Sequence, residues 1–194
     1  LQSWHFRGIV TFVYGEDTVE YMHLYTADRW DGNQITCTEG DLEWVKKSEI
    51  WNLNLWEGDR IFFRLLTEDR ASFSLKLVYN IEGILQQAVL DGKELELFDI
   101  LNEDGTKSGI VRERGVAHLD GSLHATVHIW IARPNEKSGY DILLQRRSHH
   151  KDSSPDCLDI SSAGHISTGD DFLPSAMREA KEELGLTLDP EKLK

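Results

Sequence analysis

Three glutamates near the end of the 194-residue sequence have the spacing of a metal site. Glu179, Glu182 and Glu183 fall in a segment predicted to be helical, where residues three and four positions apart are neighbours. Their carboxylates repel one another unless a cation lies between them, and Mg²⁺ suits that place because it prefers oxygen ligands and bridges carboxylates to phosphates. Arg178 can pair with Glu182 four residues on. The spacing predicts magnesium-dependent phosphate chemistry, against the alternative of a solvated, salt-bridged helix.

The helix that carries these glutamates has clear boundaries in the sequence. It is predicted from Asp171 to Leu184, with Pro174 in its first turn and Gly185 just past its end. An apolar face predicts that the helix packs against a sheet, with the glutamates on the other side. The residues of that face are Leu173, Met177, Ala180 and Leu184.

A longer pattern surrounds the glutamates. Its positions are Gly164, Asp170, Arg178, Glu179, Ala180, Glu182, Glu183, Gly185 and Leu186. This pattern resembles the Nudix box, although Asp170 stands where the family has Glu and Ala180 is a small member of the aliphatic class. The resemblance implies an α/β (α+β) fold, an α/β/α sandwich with a mixed sheet. It also implies Mg²⁺, or Mn²⁺, on Glu179, Glu182 and Glu183, with water attacking a phosphorus of a nucleoside di- or triphosphate derivative.

Residues 96–186 are similar to the Nudix branch that includes isopentenyl-diphosphate isomerase and its hydrolase-like relatives. The segments that carry this resemblance are Arg112 to His118, Val127 to Trp130, Leu144 to Arg147 and Ser161 to His165. The resemblance implies metal binding by His118, His124 and His165, and diphosphate binding by Arg114, Arg147 and Lys151. Ala163 stands where the isomerases have a catalytic cysteine, and a methyl group cannot transfer a proton. Hydrolysis is therefore favoured, and isomerisation remains the alternative.

Residues 6–90 resemble the part of a MutT-type 8-oxo-dGTP diphosphatase that follows its Nudix box. The segments are Arg7 to Val13, Tyr21 to Ala27, Glu39 to Val45 and Leu53 to Asp59. The resemblance implies a purine pocket in which Trp56 stacks on the base and Asp59 hydrogen-bonds its edge. The structural alternative makes Trp56 a core anchor and Asp59 a helix N-cap. Because no box precedes these residues, a nucleotide-binding module without catalysis is a further hypothesis.

Hydrophobic periodicity predicts a coarse order of elements. The expected elements in the first half are a hairpin of residues 8–14 and 19–26, a strand at 39–45, helices at 47–53 and 58–67, and paired strands at 72–79 and 84–90. Further strands are expected at 96–101, 127–132 and 140–145. The sequence thus predicts two partial Nudix units, residues 1–95 and 96–194, from a tandem protein. A circularly permuted single domain is the alternative, with Trp56 facing Glu183.

Composition restricts the partners. A formal net charge of −13 argues against a nucleic-acid polymer or an anionic membrane, so a small phosphorylated substrate needs a metal. Cys37 and Cys157 form no metal-ligand spacing, which favours a reducing cytoplasm. No apolar run has the length of a membrane span.

Overall fold

The computed structural model describes residues 3–33, 35, 37–136, 139–150 and 154–193. It divides the chain into two compact units, one of residues 1–123 and one of residues 124–194. The elements are a mixture of strands and a few helices, so the α/β prediction is confirmed. Within the described residues, none of the helices combines the length and the apolar character needed to cross a membrane.

The first unit is built on a five-stranded mixed sheet. Its strands are β1 (Ser3–Tyr14), β2 (Thr18–Arg29), β3 (Phe73–Tyr79), β4 (Leu85–Leu90) and β5 (Lys93–Glu94). Their spatial order is β2-β1-β3-β4-β5, in which β1 and β3 run parallel and the other neighbours antiparallel. Strand β3 alternates buried and exposed side chains, which directs Phe73, Leu75 and Leu77 into the core.

A helix and a second sheet complete this unit. The helix α1 (Glu57–Thr67) follows a 3-10 helix (Lys47–Asn52), and Ile61 and Leu65 enter the core. Two antiparallel strands, β6 (Leu97–Leu101) and β7 (Lys107–Glu113), lead into a short helix, α2 (Arg114–Asp120).

The segment after residue 96 shares the core of this unit. Leu97, Val111 and Val116 pack in one cluster with Val10 and Ile61. The compact unit therefore reaches Leu123 and includes residues that the sequence places at the start of a second Nudix domain. The boundary at residues 95 and 96 stays a prediction about evolutionary units.

A half-buried ion pair joins the same two segments. The guanidinium of Arg112 donates two hydrogen bonds of 2.6 Å to the carboxylate oxygens of Glu57 and one of 2.7 Å to Asp120. The side chains of Arg112 and Glu57 are 11% and 17% exposed, so solvent screens the pair little. Breaking such a pair is costly because a buried charge loses its hydrogen-bonded partner, and Glu57 would keep only the looser contact with Arg60, at 3.6 Å.

Arg112→Met is expected to lower the free energy of unfolding by about 3 kcal/mol, because the variant leaves the Glu57 carboxylate without its bidentate partner. Urea unfolding of the two proteins measures the difference. Arg114→Met is the matched control, since Arg114 pairs with Glu96 at 3.0 Å at an exposed position, and we expect less than about 1 kcal/mol there. Equal losses in the two variants would contradict the assigned role.

The second unit consists of short antiparallel pairs and one long helix. Its strands are β8 (Thr126–Ile129), β9 (Ala132–Asn135), β10 (Gly139–Ile142), β11 (Gln145–Arg146), β12 (Leu158–Asp159) and β13 (Ser162–His165). They pair as β8 with β13, β9 with β10 and β11 with β12. The helix α3 (Phe172–Leu184) packs on β8 and β13, and a 3-10 helix (Pro190–Lys192) follows it.

Several details of the sequence prediction are wrong. The strand expected at 127–132 ends at Ile129 and a new one begins at Ala132, and the strand expected at 140–145 ends at Ile142. Residues 39–45 form no strand, and Leu42 and Trp44 are exposed, because their alternating pattern finds no strand to pair with among the described residues. Leu173 lies in the first turn of α3 and is exposed instead of packed, because the sheet contact of this helix is made further along, where Ser175 and Ala180 are buried.

Candidate functional site

The helix of the three glutamates is fixed at both ends. At its start the Asp171 carboxylate accepts a hydrogen bond from the Phe172 N–H, as an N-cap does. At its end Gly185 adopts a φ of 68°, a left-handed conformation that favours glycine, and its N–H donates to the Lys181 carbonyl. Ala180 is completely buried between the helix and the sheet. The small residue at this box position therefore allows close packing of α3.

Gly164 provides the space for the first glutamate. It lies in β13 opposite Val127 of β8, and the side chain of Glu179 crosses its α-carbon. A Cβ atom on residue 164 would overlap Cγ and Cδ of Glu179. The backbone of Gly164 has no left-handed conformation, so the glycine is required for space and not for its φ angle. This contact links the first residue of the box to the first of its three glutamates across fifteen positions of sequence.

The other two glutamates have different surroundings. The buried Ser162 hydroxyl donates a 2.8 Å hydrogen bond to Oε2 of Glu183, which fixes that carboxylate against β13. The side chain of Glu182 is 62% exposed, whereas that of Glu179 is only 13% exposed. The prediction that all three project away from the sheet is therefore wrong for Glu179 and Glu183, whose carboxylates both lie against β13. For Glu179 the cause is Gly164, which lets a carboxylate lie directly on the strand, and for Glu183 it is the hydrogen bond from Ser162.

Arg178 lies among the acidic groups. It donates a 2.9 Å hydrogen bond to Oε1 of Glu179, and its Nη1 lies 3.7 Å from Oε2 of Glu182. Its Nη2 lies 4.0 Å from Asp170, the residue that replaces the glutamate of the family pattern. Arg178 therefore contacts Glu179 more closely than its predicted partner Glu182. Its positive charge offsets part of the repulsion among these carboxylates.

These residues fit a divalent cation by their donor chemistry. Glu179, Glu182 and Glu183 supply carboxylate oxygens alone, which is the ligand type that Mg²⁺ prefers. Glu179 and Glu183 are each oriented by a neighbour, and the exposed Glu182 has the freedom to turn toward an ion. The arrangement can orient a hydrated cation on one face of α3.

Two of the three predicted histidine ligands lie together in the second unit. The rings of His124 and His165 have their centroids 5.4 Å apart. His118 belongs to the first unit, in α2, where its ring lies 6.0 Å from that of Phe98. The role of these histidines as metal ligands stays a prediction.

The three basic residues predicted to hold a diphosphate have separate positions. Arg114 begins α2 and pairs with Glu96 in the first unit. Arg147 belongs to the second unit, where its Nη1 donates a 2.8 Å hydrogen bond to Asp159. The N–H of Ile160 and then Arg147 lower the pKa of the Asp159 carboxyl. Lys151 lies outside the described residues.

The predicted purine pocket lies at the start of α1. Trp56 is 47% exposed, and its ring lies nearly perpendicular to three aromatic neighbours in T-shaped contacts. Those neighbours are Phe12, Tyr14 and Tyr79. Tyr79 is buried, and burial raises the pKa of its hydroxyl, which accepts a 2.7 Å hydrogen bond from the Gly58 N–H.

Asp59 is not the N-cap that the structural alternative supposed. Trp56 occupies the cap position, without a side-chain bond, and Asp59 is the third residue of the helix. Burial raises the pKa of the Asp59 carboxyl, and a hydrogen bond from the Trp56 N–H opposes that rise. A carboxylate that burial disfavours, next to a partly exposed indole, has the features of a binding group.

Asp59→Asn is expected to unfold at a higher temperature than the parent chain at neutral pH. A folded-state pKa that is raised means that the folded protein becomes more stable as pH falls through it, so ionised Asp59 costs stability above it. The difference in unfolding temperature between the variant and the parent chain should therefore vanish at acidic pH, when thermal unfolding is measured over a series of pH values. Asp104→Asn is a control of opposite sign, because hydrogen bonds from Thr106 lower the pKa of Asp104. An Asp59→Asn advantage that persists at low pH would contradict this reading.

Sequence reasoning missed the residue that orients Glu183. Ser162 gives no periodic signal, and its partner lies 21 residues further on. Its only mark in the sequence is a pair of small polar residues, Ser161 and Ser162, in a segment otherwise suited to a strand. Ser161 uses its hydroxyl differently: it accepts from the Ile131 N–H and donates to the Leu143 carbonyl, which joins the loops after β8 and β10.

Comparisons with known proteins agree with the pattern around α3. Residues 122–194 match the family model described as NUDIX domain. Nudix hydrolase 3 of Arabidopsis thaliana is 50% identical over 93 residues, which are 48% of this chain and 12% of that protein. A Nudix hydrolase of Clostridium acetobutylicum is 36% identical over 100 residues, and one of Listeria innocua is 38% identical over 95 residues.

The coverage of these relatives is partial. The matched residues make up 52% and 49% of this chain, and they span 47% of the Clostridium protein and 54% of the Listeria protein. The chain thus spans about half the length of these bacterial relatives. No solved structure matches it significantly.

Proposed function

We propose that the second unit, whose residues 122–194 match the NUDIX domain model, binds Mg²⁺ through Glu179, Glu182 and Glu183. The reaction of the whole protein is then the hydrolysis of a diphosphate bond in a nucleoside di- or triphosphate derivative. The observation that supports this most is the packing of Glu179 over Gly164. It explains why a glycine and a glutamate occur together in the pattern: the glycine leaves the space in which the glutamate carboxylate lies. Mn²⁺ can take the same oxygen ligands.

The chain's own residues have distinct tasks in this proposal. Ser162 holds the Glu183 carboxylate in one orientation, and Arg178 holds that of Glu179. The side chain of Glu182 is 62% exposed and its contact with Arg178 is loose, at 3.7 Å, so we assign to it the task of accepting a proton from the attacking water. Bound Mg²⁺ supplies polarisation of the phosphoryl oxygens and a lower pKa for its water.

For the substrate we propose a purine nucleotide, of the 8-oxo-dGTP type for the first unit. The partly exposed Trp56 and the raised pKa of Asp59 support a base pocket there, with the indole stacking on the purine. Arg114, Arg147 and Lys151 are the proposed diphosphate-binding residues. His118, His124 and His165 remain proposed ligands of a further metal.

The partners follow from the same chemistry. A small diphosphate ester is the proposed ligand, and the net charge of −13 opposes binding to a nucleic-acid polymer. Both cysteines are free thiols, which supports a reducing compartment such as the cytoplasm.

The test is a hydrolysis assay in ¹⁸O-labelled water with a panel of nucleoside di- and triphosphates, with and without Mg²⁺. The expected result is metal-dependent product with ¹⁸O on phosphorus. Nucleotide binding without any product would instead support a binding module. Migration of the double bond of isopentenyl diphosphate would support isomerisation, which Ala163 opposes because its side chain carries no proton donor.

A further inference from the structure

Two exposed tryptophans stack on each other in the first unit, away from Trp56. The ring centroids of Trp30 and Trp44 are 5.5 Å apart, with 20° between the ring planes. Trp30 is 51% exposed and Trp44 is 80% exposed. Indole rings are large apolar surfaces, so a pair left this open to water is a feature that needs a cause.

The pair forms one side of an open cleft. Residues 30–33 and 42–44 line this cleft, which has a volume of about 350 Å³. That volume is in the range of small-molecule sites, which measure roughly 300–1,000 Å³. The cleft contains no residue of the aromatic cluster around Trp56, so it is a separate feature of the unit.

The charges of the cleft are of one sign. Asp31 and Glu43 contribute carboxylates, and no lysine or arginine is among the described residues that line it. The chain as a whole carries a formal charge of −13, which adds to the negative potential. A phosphorylated ligand is therefore repelled, and a cation is attracted.

From these observations we infer that the cleft binds an organic cation, of the quaternary-ammonium or N-alkylpyridinium class. The face of an indole attracts a cation more strongly than other aromatic rings do, and the two carboxylates add a longer-range attraction. A flat cation gains stacking on the indole in addition. This site is independent of the phosphate chemistry proposed for the second unit.

The test is an isothermal titration calorimetry experiment in which 1-methylnicotinamide, a flat permanent cation, is added to the protein. Nicotinamide is the neutral probe with the same ring. We expect a millimolar dissociation constant for the cation and binding of the neutral ring weaker by about fivefold or more, the contribution of cation–π attraction. Equal affinity for the two probes would overturn the inference and leave simple aromatic stacking, and no binding of either would overturn it too.

Variants assign the binding to this cleft. Trp44→Ala should weaken binding of the cation by about tenfold, and Trp44→Phe by less, because the ring that attracts the cation is removed or only reduced. Trp130→Ala is the matched control, as another exposed tryptophan, in the second unit, and should bind as the parent chain does. Glu43→Gln should weaken binding, whereas Glu39→Gln, outside the lining, should not. A loss as large in Trp130→Ala as in Trp44→Ala would refute the assignment.

Discussion

Glu183→Gln is expected to abolish the proposed metal-dependent hydrolysis. The substitution keeps the size of the side chain and an oxygen that can still accept the Ser162 hydroxyl, but it removes the negative charge that a divalent cation needs. A rate loss of about a hundredfold or more is expected, as is usual when a charged group at a reacting phosphate is lost. Steady-state phosphate release at saturating nucleotide, with Mg²⁺ varied, measures it.

Two control variants separate the role of Glu183 from a general effect of removing a negative charge. Glu191→Gln removes an equal charge from the exposed 3-10 helix after α3 and should leave the rate unchanged. Ser162→Ala keeps the Glu183 charge but not its orientation, so a smaller loss, about ten- to a hundredfold, is expected for a residue that orients a proposed metal ligand. Unchanged turnover in Glu183→Gln would exclude this carboxylate from the reaction.

The helix α3 could be predicted from sequence because its signals are local. Pro174 in the first turn, the terminal Gly185 and the glutamate spacing all act within a few residues of one another, and the structure has the helix from Phe172 to Leu184. The prediction of a strand at residues 39–45 was wrong because a strand needs a partner strand, and the alternation of Leu42 and Trp44 does not specify one.

The missed features depend on contacts between distant residues. The hydrogen bond of Ser162 to Glu183 and the packing of Glu179 on Gly164 span 21 and 15 positions, and no pattern in the sequence pairs these residues. The same holds for the place of Val116 in the core of the first unit, which depends on the register of β6 and β7. Register and packing are fixed by the whole core, so composition and periodicity cannot give them.

Gly164→Ala is expected to weaken metal binding strongly while lowering the stability of the fold only a little. The new Cβ would overlap Glu179, but the overlapping atoms belong to the outer part of a flexible side chain, which can swing away. We therefore expect the free energy of unfolding to fall by no more than about 1–2 kcal/mol, at the low end of overpacking costs. Binding of Mn²⁺, followed by its electron paramagnetic resonance signal, should weaken by about tenfold or more, since Glu179 no longer lies at its place beside the other carboxylates.

A double-mutant cycle tests whether the effect passes through Glu179. Glu179→Gln alone should weaken Mn²⁺ binding, and adding Gly164→Ala to it should weaken binding little further, because the displaced group has already lost its charge. Ala163→Ser, at the exposed neighbouring position, is the control and should bind Mn²⁺ as the parent chain does. Additive losses in the cycle would show that Gly164 acts on the metal site by another route, through the strand β13 and not through the carboxylate that lies across it.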